Sequence, residues 1–142
     1  MRFKKTDKGY ILRLFKSENL IEELTNFCNN NHIHSGMFHG IGAVLGAELG
    51  SYDLVKKEYR FKKLNKPLEL ISLTGNIALV DRKSFLHVHA VLSDENLTCF
   101  GGHLKKAFIG ATCEVYLFDF ETDIERFYDK EIGLKLLNCD LE

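Results

Sequence analysis

Several absences narrow this sequence before any residue is singled out. No apolar run approaches the roughly 20 residues that a bilayer requires, so no membrane association is expected. The opening MRFKKTDKGYILRLF has neither the long apolar core nor the small-residue cleavage site of a signal peptide, which points to a cytoplasmic protein. There is no Cys-x-x-Cys pair. Cys28, Cys99, Cys113 and Cys139 are scattered, a usage that suits reduced, mostly buried thiols better than a disulfide framework or a thiolate zinc site. Excess charge is lacking too: 19 Lys and Arg against 20 Asp and Glu leave a net charge of −1, so any binding to a polyanion would rest on a local patch. Linkers, repeats and low-complexity segments are absent. With 142 residues and 45% hydrophobic residues, the chain reads as one domain, residues 1–142, able to bury its own core.

What is present alternates. GYILRLFK (9–16) has the period of a strand. Ser17 is the expected N-cap of a helix over SENLIEELTNFCNNN, where Leu20, Ile21, Leu24, Phe27 and Cys28 recur at helical spacing and Glu18, Glu22 and Glu23 favour the positive end of the dipole. Beyond it, MFHGIGAVLGAELGSYD, EYRFKKL, PLELISLTGNIALV, SFLHVHAVLS, LTCFG, ATCEVYLFDF and DIERFY are β-branched or aromatic segments parted by Gly, Asn and Asp turns. The expected class is α+β: a mostly antiparallel sheet system with one main amphipathic helix. GIGAVLG (40–46) matches neither phosphate-loop pattern and no helix pattern follows it, so its glycines are read as bulges or close backbone contacts.

One basic patch stands out. KKEYRFKKLNK (56–66) carries six basic residues against one acid, and alternation puts Tyr59 and Phe61 on one strand face with Arg60 and Lys62 on the other. Lys56, Lys57, Arg60, Lys62 and Lys63 are therefore candidate nucleic-acid contacts, and equally the lysines that guard an edge strand. Residues 119–142, with eight acids and three bases, form the opposite pole.

LHVHAVLSDENLTCFGGHL (86–104) gathers half of the six histidines. On a strand, His87 and His89 project from one face while Leu86, Val88 and Ala90 project from the other. SDEN is rich in turn formers, so LTCFGGHL can return antiparallel, and Gly101-Gly102 removes side chains that would crowd His103. Three imidazoles then meet, either as a metal triad or as packed polar residues; as a triad they suit a zinc-like ion and leave one tetrahedral position open. The second His-x-His, His32 and His34, lies where the helix pattern ends and is favourable there without metal, and His39 reads as a strand histidine.

GIGAVLGAELGSYD, PLELISLTGNIAL, FLHVHAVLSDENLTCFGGHL and ATCEVYLFDF, in that order, resemble the PPC domain, named for plants and prokaryotes conserved, over nearly the whole chain. The resemblance implies an α+β domain that assembles as a homotrimer, and zinc on His87, His89 and His103, since histidines matching this motif hold zinc in some prokaryotic members. It implies no ligand role for Cys99. Prokaryotic members often carry a DNA-binding label, but the AT-hook by which plant members read DNA has no counterpart here. Three readings follow: a metal-bearing domain that binds a small ligand or performs chemistry on it, a DNA-associated interaction module using the basic strand, and a metal-free oligomerisation scaffold. For chemistry, Glu69 is the candidate carboxylate, because Leu68-Glu69-Leu70 resembles the family's FEL or FEI stretch; Asp94 and Glu114 are further carboxylates within the motif region.

Overall fold

Period-two alternation carries most of this chain into strands, and one 3.6-period stretch into a helix. The structure, a computed structural model, describes residues 1–139. Its elements are β1 (Arg2–Thr6), β2 (Gly9–Phe15), α1 (Leu20–Asn30), β3 (Gly36–Asp53), β4 (Glu58–Leu64), β5 (Leu68–Val80), β6 (Lys83–Ser93), β7 (Cys99–Asp119), β8 (Arg126–Asp129) and β9 (Leu134–Leu137). Seven strands form one sheet in the order β1-β2-β7-β6-β5-β3-β4, and β8 and β9 form a separate hairpin. Every strand pair is antiparallel. Because β3 also pairs with β7, the strands β3, β5, β6 and β7 close into a small barrel with β1–β2 and β4 as flaps. This is a single α+β domain.

The barrel fills with one face of each strand. Leu12 and Leu14 of β2, Phe38 of β3, Leu70, Leu73 and Ile77 of β5, Leu92 of β6, and Ile109 and Leu117 of β7 are fully buried. The helix adds Leu20, Leu24, Phe27 and Cys28. Burying each of these large side chains contributes about 1.5–3 kcal/mol relative to leaving it in water, which is why the alternation fixes which face of β6 remains outside. Helix and barrel are also tied by polar contacts, since the Asn29 side-chain oxygen accepts from the Ser84 backbone N–H at 3.0 Å and Ser84 Oγ donates to the Ile33 carbonyl at 2.9 Å.

Four sequence expectations change. Ser17 is not the N-cap: it sits at φ 73, its N–H donates to the Ile109 carbonyl at 2.8 Å, and the helix starts after Asn19. The physical cause is β7, which holds the chain for two further residues as Ile109 N–H donates to the Glu18 carbonyl at 3.0 Å. LTCFG and ATCEVYLFDF are not separate strands but parts of the 21-residue β7, which bends by shifting register against β3 instead of breaking. Arg2–Thr6 and Leu134–Leu137, not expected as strands, pair as hairpin partners of β2 and β8. Of the cysteines only Cys28 and Cys113 are buried, and burial pushes both thiols up to about 12; Cys99 and Cys139 are exposed, and all four are free.

Candidate metal centre

The outward face of β6 is where chemistry gathers. Leu86, Val88, Ala90 and Leu92 point into the barrel, so His87 and His89 must point out. The turn after Ser93 is organised by Asp94, whose Oδ1 accepts from the Asn96 and Thr98 backbone N–H groups at 3.0 Å each and whose Oδ2 accepts from Lys66 Nζ at 2.8 Å. That Lys66 hydrogen bond, first among several causes, holds the Asp94 carboxyl below its usual range. The returning strand pairs His103 directly with His89. Ring centroids lie 5.0 Å apart for His87 and His89, 5.3 Å for His87 and His103, and 5.7 Å for His89 and His103.

Close approach of β3 and β7 makes room for this arrangement. Gly50 of β3 pairs with His103, and a Cβ at Gly102 would lie only 2.6 Å from the Gly50 carbonyl oxygen. Gly102 thus relieves the strand contact beside His103, whereas a Cβ at Gly101 would meet nothing nearer than 3.6 Å. Phe61 of β4 pairs with Gly50 and lays its ring over that glycine. Tyr59, two residues away on the same face, packs against His103 with centroids 4.6 Å apart and ring planes tilted by 34°. The aromatic face of β4 is therefore one wall of the histidine cluster.

One donor atom from each histidine lies within 4.8 Å of the other two. Tetrahedral zinc with nitrogen ligands at 2.0–2.1 Å separates its donors by about 3.3–3.4 Å, so small ring rotations close the group onto an ion. Its electrostatics favour neutral ligands. Burial, and then the positive charge available on His89, Arg126 and His103, depresses His87 to about 4. Burial also lowers His103, with His89 contributing. The Nδ1 of His103 is buried without a hydrogen-bond partner. Neutral imidazoles with an unsatisfied buried nitrogen are the donor set that a borderline divalent cation requires.

The other expected residues lie apart from this cluster within the chain. Glu69 is exposed on β5 and pairs with Ser93, four residues along β6 from His89, a separation of roughly 13 Å. Asp94 is committed to its turn, and Glu114 is exposed between Arg13 and Ile41. Lys56 and Lys57 sit in the turn before β4, and Lys57 Nζ donates to the Lys130 carbonyl at 2.9 Å. Arg60 pairs with Asp53 at 2.6 Å. Lys62 shares the Arg60 face of the edge strand β4, while Lys63 shares the Tyr59 face. His34 pairs with Asp123 at 2.7 Å, and His39 is exposed on β3.

Three neighbours of the site escaped the sequence reading. Tyr59 was placed on an aromatic face, but its register against His103 depends on two strand pairings. Asn76 pairs with His87 across β5 and β6, and its side chain accepts from Arg126 Nη2 at 2.6 Å. Arg126 is 9% exposed, and burial lowers its pKa. Nothing in its local pattern marks it as part of this site.

A family model, the Plants and Prokaryotes Conserved (PCC) domain, matches residues 1–121. This chain belongs to that family. Among solved structures, it is similar to a metal-containing protein from Archaeoglobus fulgidus, with 36% identity, a TM-score of 0.86 and 95% of each chain covered. A Pyrococcus horikoshii protein of the same family matches at 33% identity and TM-score 0.87 over 99% of this chain and 96% of that one. A Bacteroides thetaiotaomicron protein proposed to bind DNA matches at 28% identity and TM-score 0.94 over 96% of each chain. No curated protein sequence matches. Among the described residues of this PCC protein, no helix is long and apolar enough to cross a membrane.

Proposed function

We propose that this PCC protein binds a zinc-like divalent ion on His87, His89 and His103, and that the ion's open position receives a small ligand. The observation that carries the reading is the convergence of three imidazoles, whose donor atoms lie within 4.8 Å of one another, and one of which, His103, has a buried ring nitrogen with no hydrogen-bond partner. Packed polar histidines without metal would satisfy that nitrogen from the protein or leave it in water. A metal held in this way polarises a bound oxygen or lowers the pKa of bound water. The similarity to a metal-containing protein over 95% of each chain supports the reading.

The test is metal analysis of protein purified without an affinity tag, beside a variant with all three histidines changed to Ala. The expected result is about one ion per chain in the first and none in the second, with anomalous scattering at the zinc edge to name it. A folded wild-type protein that takes up no zinc or cobalt overturns the proposal.

Self-association belongs to the same proposal. The outward faces of β2, β3 and β7 expose Ile11, Met37, Ile41, Tyr116 and Phe118, at 40–54% of their full area. In register, Ile11 neighbours Tyr116, and Met37 neighbours Phe118, so these side chains adjoin on one surface. A contiguous apolar surface on a sheet face is buried by a partner more often than left in water, and copies of this chain assembled as a homotrimer are the partner proposed.

A further inference from the structure

The hairpin of β8 and β9 lies beyond residues 1–121, the part matched to the family. It is tied back onto the barrel: the Tyr52 hydroxyl donates to the Ile132 carbonyl at 2.8 Å, and the Leu79 N–H donates to the Ile124 carbonyl at 2.7 Å. Arg126, the first residue of β8, is brought by these ties to the side of the histidine cluster. Its Nη2 donates to Asn76, which pairs with His87, and its Nη1 donates to the Lys135 carbonyl at 2.9 Å. The guanidinium lies over Phe85 at 5.5 Å from the ring centroid. Its charge acts on both His87, a member of the cluster, and Tyr59, on the aromatic wall beside it.

Both of these acceptors are neutral oxygens. Among the described residues no carboxylate pairs with Arg126, and its Nε has no partner. A buried cation without a counter-charge is costly. A divalent ion on the three histidines would add a second cationic centre beside the first, and the two would repel. An anionic ligand on the ion's open position relieves both at once.

We infer that the ligand of this site is a small oxyanion, a carboxylate or phosphate group, held between the metal and Arg126. The inference rests on the metal reading above and adds the sign and chemical class of the ligand. It makes metal and anion bind cooperatively, each tightening the other by the same factor. Arg126 also weakens the metal when no anion is present. The guanidinium is thus a selector for anionic ligands supplied by a segment outside the family's matched region.

The experiment is a cobalt(II) titration of the full chain, followed by the visible absorption of the bound ion. It is run without added anion, with acetate and with inorganic phosphate, on wild type, Arg126→Gln and Arg126→Lys, each first checked for folding by circular dichroism. Wild type is expected to bind cobalt at least tenfold more tightly with one of the two anions, and its absorption bands to shift. Arg126→Gln should lose that gain while binding cobalt without anion as well as wild type or better, and Arg126→Lys should keep part of the gain. Whichever anion acts names the carboxylate or phosphate class. If neither anion changes cobalt binding, or if the gain is the same in Arg126→Gln, the inference is overturned while the metal site stands. If wild type takes up no cobalt at all, the metal reading itself falls, and this is seen before any anion is added. Should Arg126→Gln fail to fold, a crystal structure of the cobalt protein with the responding anion decides: the anion on cobalt within hydrogen-bond distance of Arg126 supports the inference, and an anion turned away from it refutes it.

Discussion

His87 is held neutral by where it stands. Half-buried beside two other imidazoles and a guanidinium, it is depressed to about 4, against an ordinary value near 6.5 in the unfolded chain. Above about 6.5 both states are neutral at this residue and it adds no pH dependence. As pH falls from about 6.5 to 4, the unfolded chain takes up a proton that the folded chain refuses, so stability is lost through that window. His103, depressed for the same first reason, acts in the same direction. The melting temperature of metal-free protein is therefore expected to fall steadily from pH 7 to pH 4, and His87→Gln, which cannot titrate, should flatten part of that fall. Thermal melts at half-unit pH steps check this, and a flat profile for wild type would remove the electrostatic description of the site. At this scale the sequence was legible because the His87 and His89 side chains share a face by strand period alone. Arg126 was not legible, since it reaches the site through a hairpin fold-back that no local pattern announces.

Strand glycines act through their partners' backbones. From the sequence, Gly101 and Gly102 looked equivalent, both clearing space for His103. The structure separates them, because a Cβ at Gly102 would stand 2.6 Å from the Gly50 carbonyl oxygen while one at Gly101 would meet ordinary contacts from 3.6 Å outward. Gly102→Ala is expected to push β7 from β3, destabilising by about 1–3 kcal/mol and weakening metal binding through the displaced His103. Gly101→Ala should stay within about 0.5 kcal/mol of wild type. Urea denaturation midpoints for the two variants test the contrast, and equal midpoints would contradict the assigned contact. The hairpin of β6 and β7 was readable because turn formers sit between two alternating runs. The continuity of β7 was not, since Gly110 and its neighbours look like a break when their pairing with β3 is unseen. Helix α1 was readable in its apolar face but not at its start, which a long-range hydrogen bond to β7 decides.

At the scale of the molecule, charge and apolar surface make different demands. Arg60 is engaged by Asp53 and Lys57 by a carbonyl, which leaves Lys56, Lys62 and Lys63 without an ion-pair partner among the described residues. With a net charge of −1, the three lysines this basic segment leaves unengaged provide a weak electrostatic footprint. If the basic strand does bind duplex DNA, affinity should drop steeply between about 50 and 200 mM salt. Absence of binding at the lower salt in a fluorescence anisotropy titration eliminates that reading.

The apolar surface makes the stronger demand. Ile41 is 54% exposed and Tyr116 is also 54% exposed, both on strands whose inner faces are fully packed, so neither is needed to fill the core. A face of this kind left in water promotes non-specific association, whereas covering it in a closed ring of three copies satisfies every chain identically. Wild type is expected to scatter light as a three-chain particle at micromolar concentration. Ile41→Lys combined with Tyr116→Asp should shift it to single chains with an unchanged far-ultraviolet circular dichroism spectrum, because both positions are solvent-facing in the isolated chain. Retention of the three-chain mass by the double variant would place the contact on another face. Single chains from wild type would leave the exposed row without the partner proposed for it.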